Sequence, residues 1–505
     1  MNTKIENVIK KIVQILAIII LMFLTVVSMC GTAHVDKDEV ITYLSDNPII
    51  HIIAIGIIIA IIKYINKKEI KISKKTIRIC IAIWIGIIII WILITQLYPR
   101  ADQKHIFDAA NDLLNGNTSS FNAEEYAGSN PHQIWLILIE TLTGLVFKKY
   151  NFLILQFLNI LAVLVSIFAI YKITRIIFKN RKTSIGTIIA LFLFAPLSFY
   201  VTFIYGNLFG LATSMVAIWF LLKYLESKKI RYIFVSAVNI ELAILFKSNY
   251  LITLVAMIGL IMLYVIKEKR LKTMLSIILL VAIYFAGNFG INVITKTITG
   301  EDKNEGIPMK SYIVMGLQEG SRAPGWYNGY NRRVYKENKY NTKKAEEVVN
   351  KDLKERLDEM IKNPEYTMNF FYKKIVSEWN EPTFQCLWIN KSRKANIPSN
   401  ALVRSIKGEG TANKMITFYT NIIQTLILFG ATAYFILDFK NIKSKQLVFI
   451  IIFIGGFLFH LMWEAKGQYT FTYFIMLIPY AVRGFLKVSE YKLRKKKNGE
   501  IDSEH

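Results

Sequence analysis

Cysteine is scarce in this sequence. Only three of its 505 residues are cysteines, namely Cys30, Cys80 and Cys386, and they lie far apart. None belongs to a Cys-x-x-Cys pair or has a pair of histidines nearby, so neither a disulfide framework nor a zinc site is indicated. We therefore expect no metal site and no cofactor, with a divalent cation left open.

Acidic residues are also few. The sequence has 36 Asp and Glu against 62 Lys and Arg, a formal net charge of +26, yet 53% of it is hydrophobic. This apolar excess excludes a disordered polycation and a typical nucleic-acid-binding domain, so we expect no nucleic acid partner. Apolar runs of about 20 residues recur along the whole chain instead, and each is long enough to cross a hydrocarbon core of about 30 Å.

The apolar runs predict an all-α polytopic membrane protein with about 12 transmembrane helices. The predicted spans are 12–31, 48–64, 79–98, 151–171, 185–203, 205–222, 232–247, 249–266, 273–294, 416–437, 446–463 and 469–486. A further apolar piece, 134–148, is shorter than a usual span and contains Glu140 and Gly144.

The charge of the loops predicts the orientation. Short cytoplasmic loops collect Lys and Arg, and the basic stretches here are the N-terminus, 63–78, 171–182, 223–231, 267–272, 440–445 and the tail at 494–497. They all fall on one side only if 134–148 does not cross the membrane. We therefore predict a juxtamembrane or re-entrant helix at 134–148, cytoplasmic termini, and a multi-pass protein of the plasma membrane.

The hydrophilic stretches divide the chain. We predict two additional N-terminal transmembrane helices in 1–78, a transmembrane core in 79–294 with an outer loop at 99–133, a large extracytoplasmic domain in 295–415, C-terminal transmembrane helices in 416–487 and a basic cytoplasmic tail in 488–505. The outer domain is expected to be mainly helical, because Val349, Leu353, Leu357 and Met360 recur at helical spacing before Pro364. Aromatic residues of this domain, such as Trp326, Tyr327, Tyr330, Trp379 and Trp388, suit either sugar stacking or a bilayer interface.

Charged and histidine side chains concentrate in the outer loop 99–133. This loop contains Arg100, Asp102, Lys104, His105, Asp108, Asp112, Glu124 and His132. Their spacing lacks the alternating carboxylates of a cation-binding loop. The preceding outer loop, 32–47, contains Asp36, Asp38 and Glu39, which come closer to that pattern but are also typical of a solvated acidic loop.

Six segments carry a resemblance to a known family: YPRADQKHIFDAANDLLNG at 98–116, NPHQIWLILIETLTGLVF at 130–147, IYGNLFG at 204–210, LFKSNYLI at 245–252, MGLQEGSRAPGWYNGY at 315–330 and WEAKGQYTFTYFIMLIP at 463–479. In this order they resemble landmarks of the GT-C superfamily of membrane glycosyltransferases, which use polyprenyl-phosphate sugars. The protein O-mannosyltransferases, the aminoarabinose transferases and their relatives in the bacterial cell envelope belong to this group. The resemblance covers most of the chain from about residue 80.

The resemblance implies an extracytoplasmic active site at the 99–133 loop, and two departures qualify it. The family usually has an arginine where this chain has Gln468, so one cationic contact to substrate is missing from that position. The two helices before residue 79 are additional to the usual arrangement, so loop 32–47 is a rival for the catalytic role.

The chemistry of such a transfer suits the residue types found here. A lipid phosphate leaves as an anion and needs cations to stabilise it, whereas the acceptor hydroxyl must lose a proton to a carboxylate. One carboxylate base implies inversion at the sugar, by analogy with inverting glycosidases. We predict Asp102 as the base, and substrate or lipid-phosphate contacts from Arg100, Lys104, His132, Lys247, Glu464 and Lys466. Lys247 and Lys466 each interrupt a long apolar stretch, which a snorkelling lysine at a turn explains equally well.

The predicted function is therefore an integral membrane hexosyltransferase that moves a sugar from a polyprenyl-phosphate donor to an extracytoplasmic glycan, lipid or protein. One alternative is a transporter or flippase of lipid-linked saccharides, which should place polar residues near the bilayer midplane. Another is a polysaccharide polymerase or ligase, which predicts catalytic Arg and His within 295–415.

Overall fold

The chain is built almost entirely of helices. The computed structural model describes residues 2–69, 72–391, 400–407 and 410–501. Within them, twelve helices correspond one to one with the predicted spans: Asn2–Cys30, Pro48–Lys67, Lys74–Thr95, Asn151–Phe178, Arg181–Leu193, Asn207–Ser227, Ile230–Phe246, Leu251–Glu268, Leu275–Thr299, Thr411–Leu437, Val448–Met462 and Gly467–Ile501. The predicted all-α polytopic fold is confirmed.

The number of helices able to cross a membrane is slightly lower than predicted. Ten helical stretches in the described residues are long and apolar enough, and an eleventh arises if Arg181–Leu193 and Ala195–Thr202, which meet at a bend of 60°, are one broken span. Ile230–Phe246 has only 17 residues and is not among them. A hydrocarbon core of about 30 Å needs about 20 helical residues, which explains why this helix falls short.

The chain reverses direction inside the apolar stretch Pro131–Phe178. Lys148 has a φ of +47°, and beyond it the Asn151 Nδ2 donates a hydrogen bond to the Glu140 carbonyl at 2.9 Å. Residues 11 positions apart cannot meet in a straight helix, which rises about 1.5 Å per residue. Ile134–Phe147 is therefore a separate short helix beside the start of Asn151–Phe178, and that 134–148 does not cross the membrane stays a prediction.

The basic loops lie together at one end of the bundle. Contacts between them join Lys445 to Glu226, Lys228 to Glu268, Lys267 to Glu6 and Lys182 to Asn66. The turns that contain Asp102, Lys247 and Lys466 lie at the opposite end. This separation is what the loop-charge argument requires, and the assignment of the basic end to the cytoplasm stays a prediction.

Two helices expose almost continuous apolar faces. Pro48–Lys67 exposes Ile53 and Ile57, and Lys74–Thr95 exposes Ile83 and Ile87, each with more than half of its surface accessible. Apolar patches of this extent mark a membrane or protein contact. These faces are the surface that we expect lipid to cover.

A β-hairpin occupies the loop 32–47. Gly31–Val35 pairs antiparallel with Ile41–Ser45, and the hairpin is fixed by backbone hydrogen bonds from Ala33 to the Asn380 carbonyl and from Ile41 to the Arg322 carbonyl, at 3.0 and 3.1 Å. A second, very short pair joins Tyr98–Pro99 to Asn390–Lys391. The hairpin thereby connects the N-terminal helix to the large segment 295–415.

The segment 295–415 is mainly helical, as predicted. Its helices are Met309–Gly316, Tyr330–Glu337, Thr342–Lys362, Pro364–Trp379 and Ala401–Lys407. Asn341 caps the third of these, because its side chain accepts a hydrogen bond from the Lys344 amide. Val349 and Met360 of the predicted apolar stripe are buried, whereas Leu357 is 37% exposed.

Lys374 fastens this segment to the transmembrane bundle. Its side chain is 1% exposed, and Nζ donates to the carbonyl oxygens of Gly316, Leu461 and Trp463 at 2.6, 2.9 and 2.7 Å. An ammonium group has three donors, so all of them are satisfied by backbone oxygens. The turn that follows Met462 is thus held against the helix Pro364–Trp379.

Lys374→Met is expected to destabilise the protein strongly. The substitution leaves three buried carbonyls without their donor, and hydrogen bonds to charged groups contribute about 1.5–3 kcal/mol each. Thermal melting of the purified protein in detergent measures the effect. The adjacent Lys373 is exposed, so Lys373→Met is the matched control, and equal melting temperatures for the two variants would contradict the fastening role.

Candidate functional site

A polar cavity of about 500 Å³ lies at the end of the bundle away from the basic loops. It is enclosed by the hairpin tip, the loop before Asp102, the turns at 203–205, 247–249 and 463–469, and parts of the large segment. Among the described residues, its charged lining consists of the basic side chains Arg100, Lys247, Arg322, Arg332 and Lys466 and the acidic side chains Glu39, Asp102 and Glu464. The lining therefore carries an excess of positive charge, which favours an anionic ligand.

Asp102 begins the helix Asp102–Leu114 and faces the cavity. An acidic residue in the first turn interacts favourably with the helix dipole. The next side chain, Gln103, is buried and accepts a hydrogen bond from the Ile204 amide, which fixes the helix start against the turn 203–205. From that turn the Tyr205 hydroxyl donates to Asp102 Oδ2 at 3.3 Å and accepts from Gln133 Nε2 at 3.1 Å.

Lys247 lies on the other side of Tyr205. It occupies the predicted turn between Ile230–Phe246 and Leu251–Glu268 and is only 9% exposed. Its Nζ lies 3.6 Å from the centroid of the Tyr205 ring, a cation–π contact. One tyrosine thus separates the carboxylate of Asp102 from the ammonium of Lys247.

Lys466 and Glu464 form an ion pair in the turn after Val448–Met462. Their side chains are 3.4 Å apart, and the Tyr469 hydroxyl donates to the second oxygen of Glu464 at 3.1 Å. Burial alone would lower the pKa of Lys466, but Glu464, together with Tyr469 and other carboxylates of the cavity, raises that pKa well above its usual value. Lys466 is therefore a cation at neutral pH.

Two arginines, Arg322 and Arg100, stabilise the parts of the cavity wall that come from the hairpin and from the loop before Asp102. Glu39, at the hairpin tip, is 2% exposed and forms an ion pair with Arg322 as well as accepting from Gln385 Nε2 at 3.0 Å. Arg100 places its guanidinium 4.1 Å from the Trp388 ring centroid and donates to the Lys37 carbonyl at 2.6 Å. The rival loop 32–47 therefore contributes one carboxylate to the cavity, and this carboxylate is already neutralised.

Six of the seven residues predicted for the site line this one cavity: Arg100, Asp102, His132, Lys247, Glu464 and Lys466. Lys104 is the exception. Its ammonium pairs with Asp108, four residues further along the same helix, and it does not line the cavity. Proximity to Asp102 in sequence suggested Lys104, but the helical repeat of about 3.6 residues turns it toward Asp108 instead.

Several cavity residues were not singled out as site residues from the sequence. Tyr205, Tyr469, Arg322 and Arg332 all face the cavity. The first three lie within the segments that carry the family resemblance, which is the signal that would have found them; Arg332 lies just beyond one.

The aromatic residues of the large segment have two different roles. Tyr327 and Trp388 line the cavity, whereas Trp326 and Trp379 are buried, at 0% and 1% exposure. Trp326 donates to Ser377 Oγ at 2.8 Å. Trp326 and Trp379 are therefore core residues.

Known proteins give one family match. Residues 131–289 match the sequence model of the dolichyl-phosphate-mannose-protein mannosyltransferases. This confirms the predicted resemblance over a stretch that includes His132, Tyr205 and Lys247.

A solved structure also aligns with the chain, namely the crystal structure of ArnT from Cupriavidus metallidurans bound to undecaprenyl phosphate. The alignment has 11% sequence identity and a TM-score of 0.34, and it covers 80% of this chain and 77% of that chain. No match was found among curated proteins.

Gly206→Ala is expected to disturb this site. Gly206 has a φ of +77°, and a Cβ there would overlap the Phe246 carbonyl, the residue before Lys247. Gly116 has nearly the same φ, +74°, with open space around it, so Gly116→Ala reports the backbone strain alone, about 1–2 kcal/mol. Thermal melting should show a clearly larger loss for Gly206→Ala, and an equal loss in both variants would show that the close approach is unimportant.

Proposed function

We propose that this chain is an integral membrane glycosyltransferase that transfers a sugar from a polyprenyl-phosphate donor to an acceptor on the extracytoplasmic face. The match of residues 131–289 to the mannosyltransferase family supports this class of reaction. The observation that carries the proposal is the placement of Asp102 beside Lys247 in a positively charged cavity at the end of the bundle away from the basic loops.

Asp102 is the best-placed base among the three carboxylates that line the cavity in the described part of the chain. Glu39 and Glu464 are each engaged by a cation, Arg322 and Lys466 respectively. Asp102 instead accepts a hydrogen bond from the neutral Tyr205 hydroxyl. The carboxylates of Glu39 and Glu464 are thus held by their cations, whereas that of Asp102 remains accessible to an acceptor hydroxyl in the cavity.

The leaving phosphate is assigned to Lys247, Lys466 and Arg332. These basic side chains face the same cavity as Asp102, and positive charge in a partly dehydrated site stabilises a departing anion effectively. Burial lowers the pKa of Lys247 to about 7, and a phosphate beside it favours its charged form. Glu464 then acts indirectly, since it holds Lys466 in place. The family usually has an arginine at the position of Gln468. In this chain Arg332 supplies a cation to the cavity from a different position.

The proposed step is a direct displacement at the anomeric carbon. The acceptor oxygen forms the new glycosidic bond while the bond from that carbon to the phosphate oxygen breaks. The acceptor proton passes to Asp102, and the electron pair of the broken bond leaves on polyprenyl phosphate. Attack opposite the leaving group inverts the configuration of the sugar.

Asp102→Asn is expected to abolish most turnover. General base catalysis contributes about 10²- to 10⁴-fold to rate, so the release of polyprenyl phosphate from a radiolabelled polyprenyl-phosphate sugar should fall by that factor. The assay uses the purified protein with membranes that supply the acceptor. Asp108→Asn is the matched control, because Asp108 is on the same helix but is paired with Lys104 outside the cavity.

Two results would overturn the proposal. Full turnover in a folded Asp102→Asn variant would remove Asp102 as the base. Translocation of the labelled lipid by vesicles containing the protein, without any release of polyprenyl phosphate, would indicate a transporter.

Lys247→Met and Lys466→Met are expected to weaken the binding of polyprenyl phosphate. Loss of a charge-assisted hydrogen bond costs about 1.5–3 kcal/mol, which corresponds to a Kd increase of roughly 10- to 100-fold. Titration of the detergent-solubilised protein with polyprenyl phosphate measures the Kd. Lys104→Met should bind as tightly as the wild type, and a similar loss in all three variants would refute the assignment of the phosphate to the cavity.

A further inference from the structure

A second cavity, of about 540 Å³, opens on the side of the bundle rather than at its end. It is a groove between four helices: Pro48–Lys67, Arg181–Leu193, Thr411–Leu437 and Gly467–Ile501. Its walls are apolar, with Ile62, Ile185, Leu426 and Phe485 among them. In the part of the chain that the structure describes, the polar lining is confined to Asn66, Arg181 and Lys182.

The groove is polar at its mouth and apolar in its interior. Arg181 and Lys182 begin the helix Arg181–Leu193, and Leu193 lines the other end of the groove. At a rise of about 1.5 Å per residue, the groove extends about 18 Å along this helix from its mouth. One leaflet is about half of a 30 Å hydrocarbon core, so the groove has the depth of one leaflet.

The mouth lies at the basic end of the bundle. The Lys182 Nζ donates to the Asn66 side chain at 2.8 Å, which holds this cation at the rim. Arg181 is exposed beside it, and the lining residues of the groove in the described chain include no carboxylate. Two cations above an apolar slot complement an anionic headgroup above an acyl chain.

We infer that this groove binds one anionic phospholipid of the leaflet at the basic end, with its phosphate at Arg181 and Lys182 and an acyl chain between the four helices. The donor lipid is a poorer fit. Its phosphate belongs, in the proposed reaction, to the cavity at the opposite end of the bundle, and one phosphate cannot occupy both ends. The groove is thus a lipid site separate from the polar cavity, and it uses Pro48–Lys67, one of the two additional N-terminal helices.

Native mass spectrometry of the purified full-length protein tests the inference. The protein is titrated with phosphatidylglycerol and with phosphatidylcholine of the same acyl chains. We expect one phosphatidylglycerol to bind more tightly than phosphatidylcholine, and Arg181→Gln/Lys182→Gln to raise its Kd roughly 30-fold, since each basic residue near the headgroup contributes about a factor of five. Lys229→Gln, an exposed lysine at the same end but outside the groove, should leave the Kd unchanged.

A second variant tests the apolar part with both cations kept. Ala190 lines the groove, so Ala190→Phe should fill it and weaken phosphatidylglycerol binding, while thermal melting checks that the variant folds. The inference fails if the double glutamine variant binds phosphatidylglycerol as the wild type does, or if the wild type binds both phospholipids equally. It also fails if polyprenyl phosphate displaces phosphatidylglycerol from the wild type.

Discussion

The buried ammonium of Lys374 is the interaction on which the cavity depends. It binds the carbonyls of Gly316, Leu461 and Trp463, which come from the large segment and from the end of a membrane helix. Two of these carbonyls lie just before Glu464 and Lys466, so the position of that ion pair follows from this contact. A buried charge is costly unless its hydrogen bonds are satisfied, and here backbone oxygens satisfy it without placing a further carboxylate in the cavity.

Ion pairs in the cavity wall occupy some of its charged side chains and leave others available to a ligand. Glu39 with Arg322 joins the hairpin to the large segment, whereas Glu464 with Lys466 is a local pair within one turn. Such pairs give little net stability, because desolvation offsets their attraction, but loss of either partner is costly. They therefore fix geometry, while Asp102 is the carboxylate without an ion pair among the described residues that line the cavity.

Much of the architecture could be predicted because lipid imposes a strict length on apolar helices. The lysines at 247 and 466 were found because each interrupts an apolar run, and the juxtamembrane or re-entrant helix at 134–148 was predicted from the charge of the loops. Tyr205 and Arg322 lie in segments that carry the family resemblance, but their contacts could not be predicted from the sequence, because they span 103 and 283 positions of the chain. Lys104 lies outside the cavity because its helical neighbour Asp108 competes for its charge, a contact that the sequence pattern did not reveal.

The β-hairpin 31–45 has a consequence for biosynthesis. The ribosome completes it early, yet its backbone partners are the carbonyls of Arg322 and Asn380, which follow Ile41 and Ala33 by 281 and 347 residues. Contacts of such long range form slowly, because the intervening chain must first be ordered. The first membrane helix is therefore made long before the backbone partners of the hairpin that follows it. A chain that ends before residue 380 lacks one of these partners and has no closed cavity.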